Sequence, residues 1–96
     1  MTVPFFTKPV LEKDIERMGC AYAFRRGWRE WKVTSPSARG FPDRFYARRG
    51  RIVLAEWKKE GEEPTEQQLE RHRELREAGV EVVVLDSLDA AIDVFK

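Results

Sequence analysis

The 96-residue chain has 42% hydrophobic and 36% charged residues and a net charge of +1. This balance excludes a disordered chain and indicates one small globular domain over residues 1–96. Its single cysteine, Cys20, excludes an intrachain disulfide. No apolar run approaches the ~20 residues that span a bilayer. Residues 1–6 lack the basic region and apolar core of a signal peptide, so an intracellular, cytoplasmic protein with no membrane partner is expected. A domain of this size buries only roughly 60–65% of its unfolded surface, and dimerisation is a natural supplement.

Residues 9–27 read as a helix, with Leu11, Ile15, Met18 and Tyr22 on one stripe, Pro9 in the first turn and Gly27 at the exit. Residues 28–34 contain Trp28, Trp31, Val33 and Thr34 and form a first strand candidate, followed by a loop over 35–40. Phe45-Tyr46-Ala47 is a short strand, and Arg48-Arg49-Gly50-Arg51 is a turn with Gly50 at positive φ. Ile52–Lys58 continues as a strand. After a polar loop, Thr65 and Gln68 have the spacing of a capping box that opens a helix to about Ala78, closed by Gly79. Val80–Leu85 has the aliphatic density of a buried strand, and Ser87 caps a last helix carrying Leu88, Ala91, Ile92 and Phe95 on one face. The order α-β-β-β-α-β-α, with a helix between the last two strands, predicts an α/β fold in which helices flank a mixed sheet.

Charge is unevenly spread along this order. Residues 25–51 carry a net charge of +7, whereas residues 52–96 carry −6. The basic segment favours a polyanionic partner such as nucleic acid, although a solvated charged surface is the simpler reading. Arg25, Arg26, Arg39, Arg44, Arg48, Arg49 and Arg51 are the candidates for phosphate contacts.

The predicted hairpin brings chemistry together. Strand alternation puts Glu56 and Lys58 on one side and Trp57 on the other. A turn centred between Arg49 and Gly50 makes Asp43 and Glu56 cross-strand neighbours. Two adjacent carboxylates repel unless a cation sits between them. Oxygen donors of this kind suit Mg²⁺ or Mn²⁺, and Lys58 supplies positive charge for water or phosphate. An exposed Asp/Glu/Lys group joined by a weak surface salt bridge is the competing reading.

With these residues in view, the chain resembles the VRR-NUC family within the PD-(D/E)xK nuclease superfamily. The resemblance runs from Glu12 to the last helix. It rests on a first-helix glutamate, Gly40-Phe41-Pro42-Asp43, Glu56-Trp57-Lys58, Thr65-x-x-Gln68, and Gly79 before an aliphatic strand. It implies a restriction-endonuclease-like fold and Mg²⁺- or Mn²⁺-dependent hydrolysis of DNA phosphodiesters. Asp43, Glu56, the Trp57 carbonyl and Glu12 would bind metal. Lys58 would be the catalytic lysine, and Gln68 would add a catalytic role to its cap. Small stand-alone members look similar to Holliday-junction resolvases, which implies a homodimer acting on branched DNA.

Glu16, one turn after Glu12, is the rival helix acid. His72 reads as a surface or interface residue, Cys20 as a small packed residue, and Trp28, Trp31 and Trp57 as core or dimer contacts. Two other functions fit the same fold: a catalytically silent nucleic-acid-binding module, and a protein-interaction domain using the acidic second half.

Overall fold

A computed structural model describes residues 11–35 and 38–96. The elements are α1 (Glu12–Arg25), β1 (Arg29–Lys32), β2 (Arg44–Arg48), β3 (Arg51–Trp57), α2 (Glu66–Glu77), β4 (Glu81–Leu85) and α3 (Leu88–Phe95). This is the expected order. The four strands form one sheet in the spatial order β1-β2-β3-β4. β1, β2 and β3 pair antiparallel, and β3 pairs parallel with β4 because α2 carries the chain across between them.

The β2–β3 hairpin sets the register on which the rest depends. Both Arg49 (φ 51°) and Gly50 (φ 82°) occupy the left-handed region. A two-residue turn of this kind matches the twist of its flanking strands. Arg48 pairs with Arg51 and Arg44 with Ala55, so one further step sets Asp43 across from Glu56.

Helix α1 is shorter than its sequence pattern, and Pro9, its predicted first-turn residue, lies outside the described residues. Its buried line is also different: Ile15, Gly19 and Ala23 face the core, while Leu11 and Met18 are exposed. The cause is Trp57. A Cβ on Gly19 would collide with the Trp57 ring, so only the smallest residue lets this helix approach the sheet. Ala91 of α3 closes the same contact, and Trp28, Tyr46, Phe95, Val53 and Leu85 complete the core. The α3 face is as expected at Ala91 and Phe95, with Ile92 at its solvent margin.

Helix α2 lies on the other face of the sheet, against β4. Thr65 and Gln68 form the full capping box, with the Gln68 N–H donating to Thr65 Oγ1 at 3.2 Å and the Thr65 N–H to Gln68 Oε1 at 2.9 Å. The helix is polar along most of its surface and fully buries one residue, His72. That corrects the expectation of a surface histidine. Beyond α2 no described element covers the same sheet face: Trp31 is 55% and Ile52 48% exposed, with Trp31 edge-on to Phe45.

Candidate active site

The site lies at the end of the sheet where β2 begins and β3 ends. Gly40 takes φ 82°, and a Cβ there would meet the Gln67 carbonyl, so the loop before β2 presses directly on the first turn of α2. Arg71 fastens that approach by donating from Nε to the Arg39 carbonyl at 3.1 Å. Pro42 is buried and Asp43 follows it at the edge of the cluster.

Glu56 is only 5% exposed and Lys58 8%. The Lys58 N–H donates to the Leu85 carbonyl at 2.9 Å, extending the β3–β4 pairing by one residue. Successive strand residues direct their backbone groups to opposite sides, so the Trp57 N–H and carbonyl point towards β2 and Asp43. The Trp57 N–H accordingly favours the charged form of the Asp43 carboxylate. The Trp57 indole is on the other face, donating to Tyr46 Oη at 3.1 Å.

Two helices add side chains from opposite faces. From α2, Gln68 Nε2 donates to Glu56 Oε2 at 3.2 Å, and His72 Nε2 stands 3.6 Å from Glu56 Oε1. From α1, Glu12 has no hydrogen bond or ion pair among the described residues, yet it is close enough to interact electrostatically with Asp43, Glu56 and Lys58. Glu16 has a different fate: Arg44 donates to its Oε2 from Nε at 2.7 Å, with NH2 at 2.6 Å. The two rival helix acids thus differ: Glu16 is paired with an arginine, and Glu12 has no such pair among the described residues.

Burial is the leading electrostatic effect. It pushes Asp43 up to about 6, with Glu16 and Glu12 adding repulsion and the Trp57 N–H and Arg44 opposing. It pushes Glu56 up to about 7, with Asp43 adding to the shift and Lys58 opposing it. Glu12 is also raised, by burial and then by Glu16. His72 is lowered by burial and by the cations Arg76 and Lys58, all of which disfavour the charged imidazolium.

Asp43 Oδ1 and Glu56 Oε1 are buried with no hydrogen-bond partner among the described residues. Orphaned carboxylate oxygens are costly, and a hard divalent cation is the partner their chemistry fits. No three His, Cys, Asp or Glu side chains are already gathered as a ligand set among the described residues. The residues that could hold such an ion are this pair, with the Trp57 carbonyl on the same side of β3.

The arginines divide into groups. Arg44 is turned inward to Glu16 and Glu30, which takes it out of the set of free phosphate contacts. Arg51 pairs with Glu81, its NH2 2.6 Å from Oε2. Arg48 donates to the carbonyls of Arg26 and Lys96 at 2.9 and 3.0 Å and lies over the Trp28 ring. Arg39 and Arg49 are exposed. Arg26, Arg29, Arg48 and Arg49 line a concavity at the turn end of the hairpin, about 20 Å along the strands from Asp43.

His72 is the site neighbour that sequence reasoning passed over. The available signal was its spacing: Gln68 and His72 are four apart on one helix, so whatever Gln68 faces, His72 also faces.

Sheet order, crossover and a Pro-Asp/Glu-x-Lys pair at one sheet end define a PD-(D/E)xK-type domain. No family model matches the sequence. The chain is 40% identical over 81 residues to "Putative nuclease p44" of Acyrthosiphon pisum secondary endosymbiont phage 1, covering 83% of this chain and 87% of that protein. A solved structure described as "VRR_NUC domain" superposes with a TM-score of 0.78 at 25% identity, covering 86% of this chain and 91% of that one. The chain belongs to the VRR-NUC family.

Proposed function

We propose that this protein is a Mg²⁺- or Mn²⁺-dependent DNA endonuclease that hydrolyses phosphodiester bonds in branched DNA. The observation that carries the proposal is the pair of buried, partnerless oxygens, Asp43 Oδ1 and Glu56 Oε1, beside the buried Lys58. Asp43, Glu56 and the Trp57 carbonyl would hold the ion, with Glu12 completing the set directly or through water. A divalent ion at such a site supplies Lewis-acid polarisation and a water of lowered pKa.

The chain's own groups do the rest. Lys58 places an ammonium beside the carboxylates, where it orients the attacking water and offsets charge on the phosphate. Gln68 holds Glu56 through Oε2 while its own amide oxygen caps α2, so one side chain ties the helix start to the site. The basic concavity at the turn end suits the DNA backbone, and its distance of about 20 Å corresponds to roughly six base pairs. A two-fold dimer would present two such sites to two strands. Trp31 and Ile52 on the open sheet face are apolar surface available for it.

Labelled junction, flap and linear duplex DNA, incubated with Mn²⁺ and with wild type or Lys58→Ala, test this reading. Wild type should cut, preferring the junction, and Lys58→Ala should lose about 10²–10³-fold in rate while still binding DNA. Binding without cleavage by wild type would establish a silent DNA-binding module instead. No binding at low salt would leave the protein-interaction reading. Light scattering that shows a stable monomer at micromolar concentration refutes the dimer.

A further inference from the structure

We infer that His72 is a positioning residue for Glu56, clamping its carboxylate jointly with Gln68 so that the lone pairs left free face Asp43. The inference rests on the metal-binding reading of Glu56.

His72 is fully buried, at 0% exposure, in a helix whose other residues all have some contact with solvent. Among the described residues neither Nδ1 nor Nε2 has a hydrogen-bond partner. A buried histidine that served packing alone would be a poor choice, because an apolar side chain fills the same space without two desolvated nitrogens. The imidazole is aimed at one group: Nε2 stands 3.6 Å from Glu56 Oε1, itself orphaned. That gap is too long for a hydrogen bond, and closing it takes a movement of about half an ångström.

Helix geometry explains why two residues act together. Gln68 and His72 lie four positions apart on one face of α2, and each addresses a different Glu56 oxygen: Gln68 reaches Oε2 at 3.2 Å, and His72 faces Oε1. Two donors from one rigid helix fix the rotation of the carboxylate about its last bond. A neutral imidazole with its proton on Nε2 supplies the second donor without adding a charge beside Lys58. The lower-than-usual pKa of His72, caused first by burial, agrees with that neutral form. Partners that orient a ligating side chain in this way typically govern metal affinity as well as rate.

Mn²⁺ titration by calorimetry on the full chain separates this role from packing. His72→Leu should weaken Mn²⁺ binding by about 10- to 100-fold, while the metal-free Tm stays level or rises because two unpaired nitrogens are removed. His72→Gln, whose amide nitrogen reaches the place of Nε2, should recover binding to within a few-fold. A His72→Leu protein that binds Mn²⁺ like wild type overturns the inference, as does a Gln variant no better than Leu. If wild type itself binds no Mn²⁺, the metal-dependent reading fails first. Should the Leu variant not fold, the imidazole of this single-histidine chain gives one ¹⁵N signal pair that needs no assignment. In the Mg²⁺-saturated protein the proton should reside on Nε2, and a proton on Nδ1 overturns the inference.

Discussion

The Glu30 cluster on the α1 face of the sheet and the Glu56 cluster on the α2 face use similar residue types, but only the first satisfies its own atoms. Glu30 Oε2 accepts from Arg44 NH1 at 2.6 Å, Cys20 Sγ at 2.9 Å and Tyr46 Oη at 3.3 Å. Arg44 joins this group to Glu16, and Trp57 Nε1 closes it through Tyr46. In such surroundings burial and the Glu30 bond push the Cys20 thiol up to about 12, far from a reactive thiolate. The Glu56 cluster leaves Asp43 Oδ1, Glu56 Oε1 and both His72 nitrogens without hydrogen-bond partners among the described residues. A saturated network holds α1 against the sheet. An unsaturated one leaves buried polar atoms unpaired, which is the feature the proposed cation would relieve.

The largest effect that separates them is on stability. Glu30→Ala should lower unfolding free energy by about 2 kcal/mol, because it strips three donors of a shared acceptor in a partly buried setting. Urea denaturation measures this directly. A loss below about 0.5 kcal/mol would mean that the network behaves like an exposed surface pair.

Glu56→Gln should act in the opposite direction, and its effect should depend on pH. Glu56 has a folded-state pKa raised from 4.5 to about 7, and Asp43 from 3.8 to about 6. The folded protein therefore binds more protons than the unfolded chain between these values. Stability from both groups is fully present below their unfolded pKa values and is lost as pH rises through about 6 to 7. Metal-free wild type should thus lose Tm between about pH 4 and pH 7, and Glu56→Gln should flatten the upper part of that decline. Mn²⁺ should restore wild type most at the alkaline end, where both carboxylates are ionised, and should do little for the Gln variant. A wild-type Tm that rises steadily over this window would contradict the buried, cation-seeking account of the pair.

Much of this arrangement was legible before any coordinates. A turn centred between Arg49 and Gly50 sets Asp43 opposite Glu56, and the observed register, extended one step past Arg44 and Ala55, agrees. The Thr65–Gln68 spacing marked the start of α2, and the apolar run after Gly79 marked β4. What stayed hidden is a matter of direction and approach. Gly19 was unremarkable in a stripe that seemed to run through Met18, because nothing local reveals that Trp57 presses on that turn. His72 looked exposed because α2 is polar nearly all round, and such a helix gives no periodic signal of its inner face. Arg44 looked like its basic neighbours, since Glu16 and Glu30 meet it only after α1 folds back over the sheet.

That last point makes the finest test of the comparison. Arg44 and Arg49 belong to one basic stretch of sequence, but the first is tied between two carboxylates and the second is exposed on the turn. If DNA runs from the carboxylate pair along the hairpin, Arg49 meets phosphate and Arg44 does not. Arg49→Ala should then reduce the slope of log affinity against log salt by about 1, the loss of a single counterion-releasing contact. Arg44→Ala, measured in the same salt series without divalent ions, should leave that slope unchanged while lowering Tm. An altered slope for Arg44→Ala with Tm intact would show that its guanidinium leaves Glu16 and Glu30 to bind DNA, and the two clusters would then be less distinct than their hydrogen bonding makes them.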